Sequence, residues 1–121
     1  MTVKTLEKSS VEQPLQIGIS RQFSRFPAGR YADDGPFSGQ AFREKLLIPA
    51  MKSGKQVIID LDGTAGFGSS FLEEAFGGLI RAGWSSEEVL GRMKFTCGDP
   101  SVIEEITDYI KSATPEDGKR E

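Results

Sequence analysis

The chain has 121 residues, 37% of them apolar and 27% charged, a composition that suits one globular domain with polar ends. Fifteen basic residues against eighteen acidic ones give a net charge of −3, and no basic stripe appears, so direct nucleic-acid binding is not expected. Histidine is absent and cysteine occurs once, which excludes Ser-His-Asp and Cys-His catalysis, mixed Cys/His zinc sites and any internal disulfide.

The lone Cys97 fits a reducing compartment. No apolar run approaches about 18 residues and no leader pattern opens the chain, so a cytoplasmic protein without a membrane segment is the expectation. Residues 1–14, MTVKTLEKSSVEQP, are polar without a sustained period and read as a flexible arm. Leu15, Ile17 and Ile19 then alternate with polar or small residues, predicting a first strand that reaches toward Phe23. RFPAGRYADDGPFSG, Arg25–Gly39, is dense in Gly, Pro and Asp. It reads as a turn-rich connector or a recognition loop, with room for a short strand at Arg30–Tyr31.

Ser38 is placed to cap a helix running through FREKLLIPAMK, with Phe42, Leu46, Ile48 or Pro49, and Met51 inward. Pro49 leaves the last turn of that helix open, because proline removes a donor and crowds the turn before it. Gln56–Leu61 is nearly unbroken in apolar, β-branched residues, and predicts a strand buried on both faces at the centre of a parallel sheet. Ser70 and Glu73 have capping-box spacing for a helix whose stripe is Phe71, Leu72, Ala75, Phe76, Leu79 and Ile80. Glu73, Glu74 and Arg81 lie off that stripe. Gly77-Gly78 interrupts it at a cost of roughly 1 kcal/mol per glycine, which points to close packing or to local looseness. Gly83 supplies the C-terminal stop, and Trp84 beyond it reads as core closure or a partner anchor.

Ser85–Leu90 predicts a short helical segment, and Met93, Phe95 and Cys97 alternate along another strand. Asp99-Pro100 reads as N-cap and first-turn proline of a helix carrying Val102, Ile103, Ile106, Tyr109 and Ile110 on one face. From Thr114 the chain is a polar tail. The alternation of strands and helices predicts a single α/β domain over residues 15–113, with a small mixed or parallel sheet of about four strands flanked by helices.

Chemistry concentrates at the bend GTAGFGSS, between the apolar strand and the following helix. Strand, glycines and helix form the geometry that favours an anion. Phe71, however, stands where a dinucleotide fingerprint needs its third glycine, and no Gly-Lys-Ser/Thr follows. Asp60 and Asp62 share one face and, with Asp33 or Asp34, could hold magnesium; the same pair also fits a strand end turning at Asp62-Gly63. Ser69 or Ser70 as a nucleophile would need a base, and only the unplaced Lys45, Lys52 and Lys55 offer one. No catalytic set, resident metal or cofactor is assigned. A small nucleotide- or magnesium-binding domain or enzyme that uses the bend with Asp60 and Asp62 is the alternative reading.

The stretch QVIIDLDGTAGFGSSFLEEAFGGLI resembles the central strand, serine loop and helix of STAS domains, the sulfate-transporter and anti-sigma-factor-antagonist class. Asp60-Leu61 matches the strand end and Ser69-Ser70 the paired serines, with Gly68 where that class carries aspartate and Phe71 where it carries glycine. The wider pattern, RFPAGRY, GPFSGQAFREKLLIPAMK, VIIDLDG, GFGSSFLEEAFGGLIR and DPSVIEEI, is more closely similar to a STAS-like bacterial family of unassigned function, over roughly Ile17 to Ala113. The resemblance implies a non-catalytic regulatory module of a prokaryote that binds a protein. Its implied partner is a serine kinase of the GHKL ATPase class, and its implied phosphorylation site is Ser69, with Ser70 beside it. The contact surface implied is Gly66, Phe67, Gly68, Phe71, Glu73 and Glu74 with the exposed side of the helix, joined by Arg30 and Tyr31 from the earlier loop.

Overall fold

The structure is a computed structural model that describes residues 13–115, so most of the expected N-terminal arm (1–14) and of the polar tail (114–121) lies outside the described residues. Three parallel strands form the sheet: β1 (Leu15–Gly18), β2 (Val57–Asp60) and β3 (Met93–Thr96), in the order β1-β2-β3. The sheet is parallel, as predicted, with three strands among the described residues where about four were expected. Arg30–Tyr31 is not a strand because the Asp34 carboxylate takes both backbone N–H groups, at 3.0 and 2.9 Å, ahead of a 3₁₀ turn at Ala32–Asp34. A strand would have needed those donors for its ladder. β1 likewise stops at Gly18, and the chain coils at once into α1 (Ile19–Gln22).

The register sets Leu15, Val57 and Met93 side by side, then Ile17, Ile59 and Phe95 two residues on. Successive side chains alternate faces, so these rows point to the helices and supply the floor of the core. The intervening rows, Gln16-Ile58-Lys94 and Gly18-Asp60-Thr96, lie on the other face. There Gln16, Lys94 and Thr96 are exposed, while Ile58 and Asp60 are half-buried. β2 is therefore central but buried on one face only, contrary to the reading of its apolar run. Two successive parallel crossovers in one direction carry their helices to the same side of a sheet, which accounts for the difference.

The first crossover helix, α2, joins an α-helical start (Gly39–Phe42), a π-helical turn (Arg43–Leu47) and an α-helical end (Ile48–Lys52). Ser38 caps it as predicted, its hydroxyl accepting Ala41 N–H at 3.1 Å. The widened turn lets Ile48 N–H reach the Arg43 carbonyl just before Pro49, which has no N–H to give. The second helix, α3, has the same construction: Ser69–Leu72, a π-helical turn at Glu73–Gly77, and Gly78–Arg81. Then come α4 (Ser86–Arg92), capped by Ser85, and α5 (Pro100–Ser112), capped by Asp99.

α3 is the centre of the helical layer, with α2 on one flank and α5 on the other. Gly39 permits the α2 contact, since a Cβ there would sit 2.4 Å from the Phe71 carbonyl oxygen. Phe42, Phe71 and Phe76 are fully buried beneath it, and Trp84 is 4% exposed, closing the core edge rather than anchoring a partner. Every residue from Leu72 to Ile80 is buried except the half-buried Glu73. The expected exposed side of the Leu72–Arg81 helix therefore does not exist.

Candidate functional site

Parallel strands bring their C-terminal ends to one edge of the sheet, and in α/β folds that edge is where ligands and partners meet the chain. Here it gathers α1 after β1, the bend after β2 and the Cys97–Asp99 turn after β3. Asp60 shapes the bend: one carboxylate oxygen accepts Asp62 N–H at 3.0 Å and the other accepts Arg21 Nη1 at 3.1 Å. The Asp62 amide first, and Arg21 next, hold the Asp60 carboxyl below the usual aspartate range. Asp62 in turn accepts Gly98 N–H at 2.8 Å, fastening the bend to the β3–α5 turn, and Ala65 N–H reaches the Arg25 carbonyl at 2.8 Å. Gly63 takes φ +93° against Ser20, a conformation and a space that a side chain would spoil.

These bonds commit Asp60 and Asp62 to holding the bend. Among the described residues no group of three or more Asp, Glu, Cys or His residues is arranged to hold a metal ion, so Asp33 and Asp34 do not complete the magnesium set. An open hollow of about 370 Å³ lies beside the bend, walled by Leu61, Phe67, Cys97 and Val102, with Asp62 and Asp99 also lining it. Cys97 is a free thiol and half-buried.

The start of α3 differs from the capping box expected of Ser70 and Glu73. Gly68 is the N-cap and has no side chain to offer, so Ser69 and Ser70 are the first two helical residues, both exposed. Ser69 Oγ donates to Glu105 Oε2 on α5 at 2.9 Å, and the Tyr109 hydroxyl donates to the same oxygen at 2.6 Å. The bond to Glu105 is the chief cause that raises the Tyr109 pKa above the usual tyrosine value. No sequence spacing pointed to Glu105, which lies 36 residues from Ser69.

Glu73 reaches sideways instead of back to the cap, accepting Arg81 Nη1 at 2.7 Å and Arg30 Nη1 at 2.6 Å. Its carboxyl is held below the usual glutamate range, first by the Arg81 hydrogen bond and then by the Arg30 one, against the effect of burial. Arg30 is correspondingly raised, chiefly by its bond to Glu73. Glu74 is buried and meets Arg43 of α2: Arg43 Nη1 lies 2.9 Å from its carboxylate and 2.6 Å from its carbonyl oxygen. This pair links the two π-helical turns, and Gly78 gives it room, because a Cβ there would lie 2.1 Å from Arg43 Nη1. The glycine pair was the available signal for this cluster.

Of the residues read as a contact surface, Gly66 and Gly68 are exposed and Tyr31 is 53% exposed. Phe67 is half-buried and stacks on Phe71, with ring centroids 5.9 Å apart. Phe71 and Glu74 are buried and present no surface, while Glu73 and Arg30 spend their charges on each other and on Arg81 or Glu74. Phe26, 69% exposed, and Phe37, 42% exposed, join Tyr31 on the 25–38 loop; no sequence pattern singles out Phe26. Among the described residues no helix is long and apolar enough to cross a membrane.

A parallel sheet layered on one side by helices, with paired serines opening the helix after the central strand, defines a STAS-like α/β domain. The model of the STAS-like domain of unknown function (DUF4325) matches residues 38–102, more than half of the chain, and the chain belongs to that family. No curated protein and no solved structure matches it.

Proposed function

We propose that this STAS-like domain is a non-catalytic regulatory module of the bacterial or archaeal cytoplasm that binds a protein partner and is switched by phosphorylation of Ser69. The observation that carries the reading is the placement of Ser69: exposed, first in α3, at the sheet edge where the bend is tied to the 25–38 loop. The contact surface is the exposed bend from Gly66 to Ser70 together with Phe26, Tyr31 and Phe37. Exposed aromatic side chains of this kind are a recurrent feature of protein contacts.

The partner is a serine kinase of the GHKL ATPase class. Ser69 Oγ takes the γ-phosphoryl group of the kinase's ATP; the bond to ADP breaks, and the hydroxyl proton leaves to a base of the kinase. The new group carries a charge of about −1.5 to −2 at pH 7 beside a helix start, where unpaired N–H groups favour an anion. Gly68 supplies no competing cap there. A partner surface matched to a neutral hydroxyl then meets a dianion and lets go.

Affinity capture from the native host with wild type, Ser69→Ala and Ser69→Glu tests this. Wild type and Ser69→Ala are expected to retain a GHKL-type ATPase that Ser69→Glu releases. Equal recovery of the same proteins by all three variants would sink the switch.

A further inference from the structure

We propose that Glu105 is the positioning residue through which the fold senses charge on Ser69, so that phosphorylation there loosens the first half of α5. The inference rests on Ser69 being the switch. Glu105 Oε2 accepts two hydroxyl hydrogens at once, from Ser69 at 2.9 Å and from Tyr109 at 2.6 Å, and so ties the tip of α3 to the middle of α5. A hydroxyl can donate to that carboxylate; a phosphoryl dianion cannot. Modification therefore replaces a charge-assisted hydrogen bond with two like charges a few ångströms apart.

The two sides of the contact are unequally held. α3 is buried nearly all round, and its first turn has N–H groups to which the phosphoryl can turn. α5 is anchored by the fully buried Ile106 and Ile110, whereas its first turns contribute only the half-buried Val102 and Ile103. Repulsion at Glu105 is thus relieved by movement of the segment ahead of Ile106. That segment also borders the hollow beside the bend, through Asp99 and Val102. Charge on Ser69 consequently changes the shape of the contact surface as well as its sign.

Hydrogen exchange read by mass spectrometry on the purified chain is the test, with Ser69→Glu, Ser69→Ala, Glu105→Gln and the Ser69→Glu/Glu105→Gln pair. Ser69→Glu is expected to speed exchange in the first half of α5 by about tenfold, the scale of a partly screened like-charge contact. Ser69→Ala, which removes the bond without adding charge, should speed it less. The double variant should return to the rate of Glu105→Gln alone, and Ser70→Glu, charge placed one residue on, should leave α5 near the wild-type rate. Unchanged α5 exchange in Ser69→Glu, or a double variant as fast as Ser69→Glu, would overturn the proposal. The assay needs neither kinase nor partner, so its failure is distinct from the finding that the host never modifies Ser69.

Discussion

A carboxylate held between two guanidinium groups is favoured in its ionised form, and Glu73 stands between Arg30 and Arg81. Its pKa is depressed in the folded chain, so the stability it contributes is present above the unfolded glutamate value of about 4.3 and is lost as pH falls through the lower folded value. Glu73→Gln keeps the shape and removes the charge. The variant is expected to be less stable than wild type by about 1–2 kcal/mol at neutral pH, since the pair is only partly buried. The gap should close as the solution is taken below the glutamate range, because wild type then protonates as well. Denaturant unfolding of both proteins across that pH series measures it, and a gap that stays constant would contradict the assignment.

At the scale of the element, α3 behaves as a core helix although it carries two glutamates and an arginine. Its polar residues are absorbed by ion pairs with α2, with the 25–38 loop and, for Arg81, with Glu73 and Glu74 of α3 itself, and Gly78 leaves space for the Arg43–Glu74 pair. Gly78→Ala must displace that buried guanidinium or push α2 and α3 apart, so it should destabilise by about 2 kcal/mol even though alanine favours the helix by about 1. Gly91→Ala in α4, where an added Cβ meets nothing within 4 Å, should be neutral or stabilising by up to about 1 kcal/mol. Thermal melts of the two variants separate a packing requirement from a mere propensity effect.

The contrast also shows which parts of the element pattern are written locally. Ser38, Asp99-Pro100 and the alternation of Met93 and Phe95 act within a few residues of themselves, and each could be read directly. Glu73 and Glu74 could not, because their partners are fixed by how α2 and the long loop dock. Ser70 with Glu73 had the spacing of a capping box and lost it to Arg30 and Arg81, which bind the Glu73 carboxylate sideways. The site divides the same way. The exposed serines at the end of the bend were legible from their place between strand and helix; Glu105, a sheet crossover and 36 residues away, was not.

For the whole molecule, the sheet order and the single-sided helical layer leave α3 no free flank. The exposed bend and its serines therefore lie at the C-terminal edge of the sheet, with the loops that meet there. Ser69 lies on that edge and is joined to α5, so a charge added to it acts on both the rim and the adjoining helix. The proposed switch thus rests on modification of one hydroxyl. The most direct measurement is phosphosite mass spectrometry of the chain isolated from its host, with and without the GHKL-type ATPase recovered alongside it. Phosphate on Ser69 that disappears when the ATPase is removed is the predicted result; a Ser69 that stays unmodified while that ATPase is present and active would contradict the account.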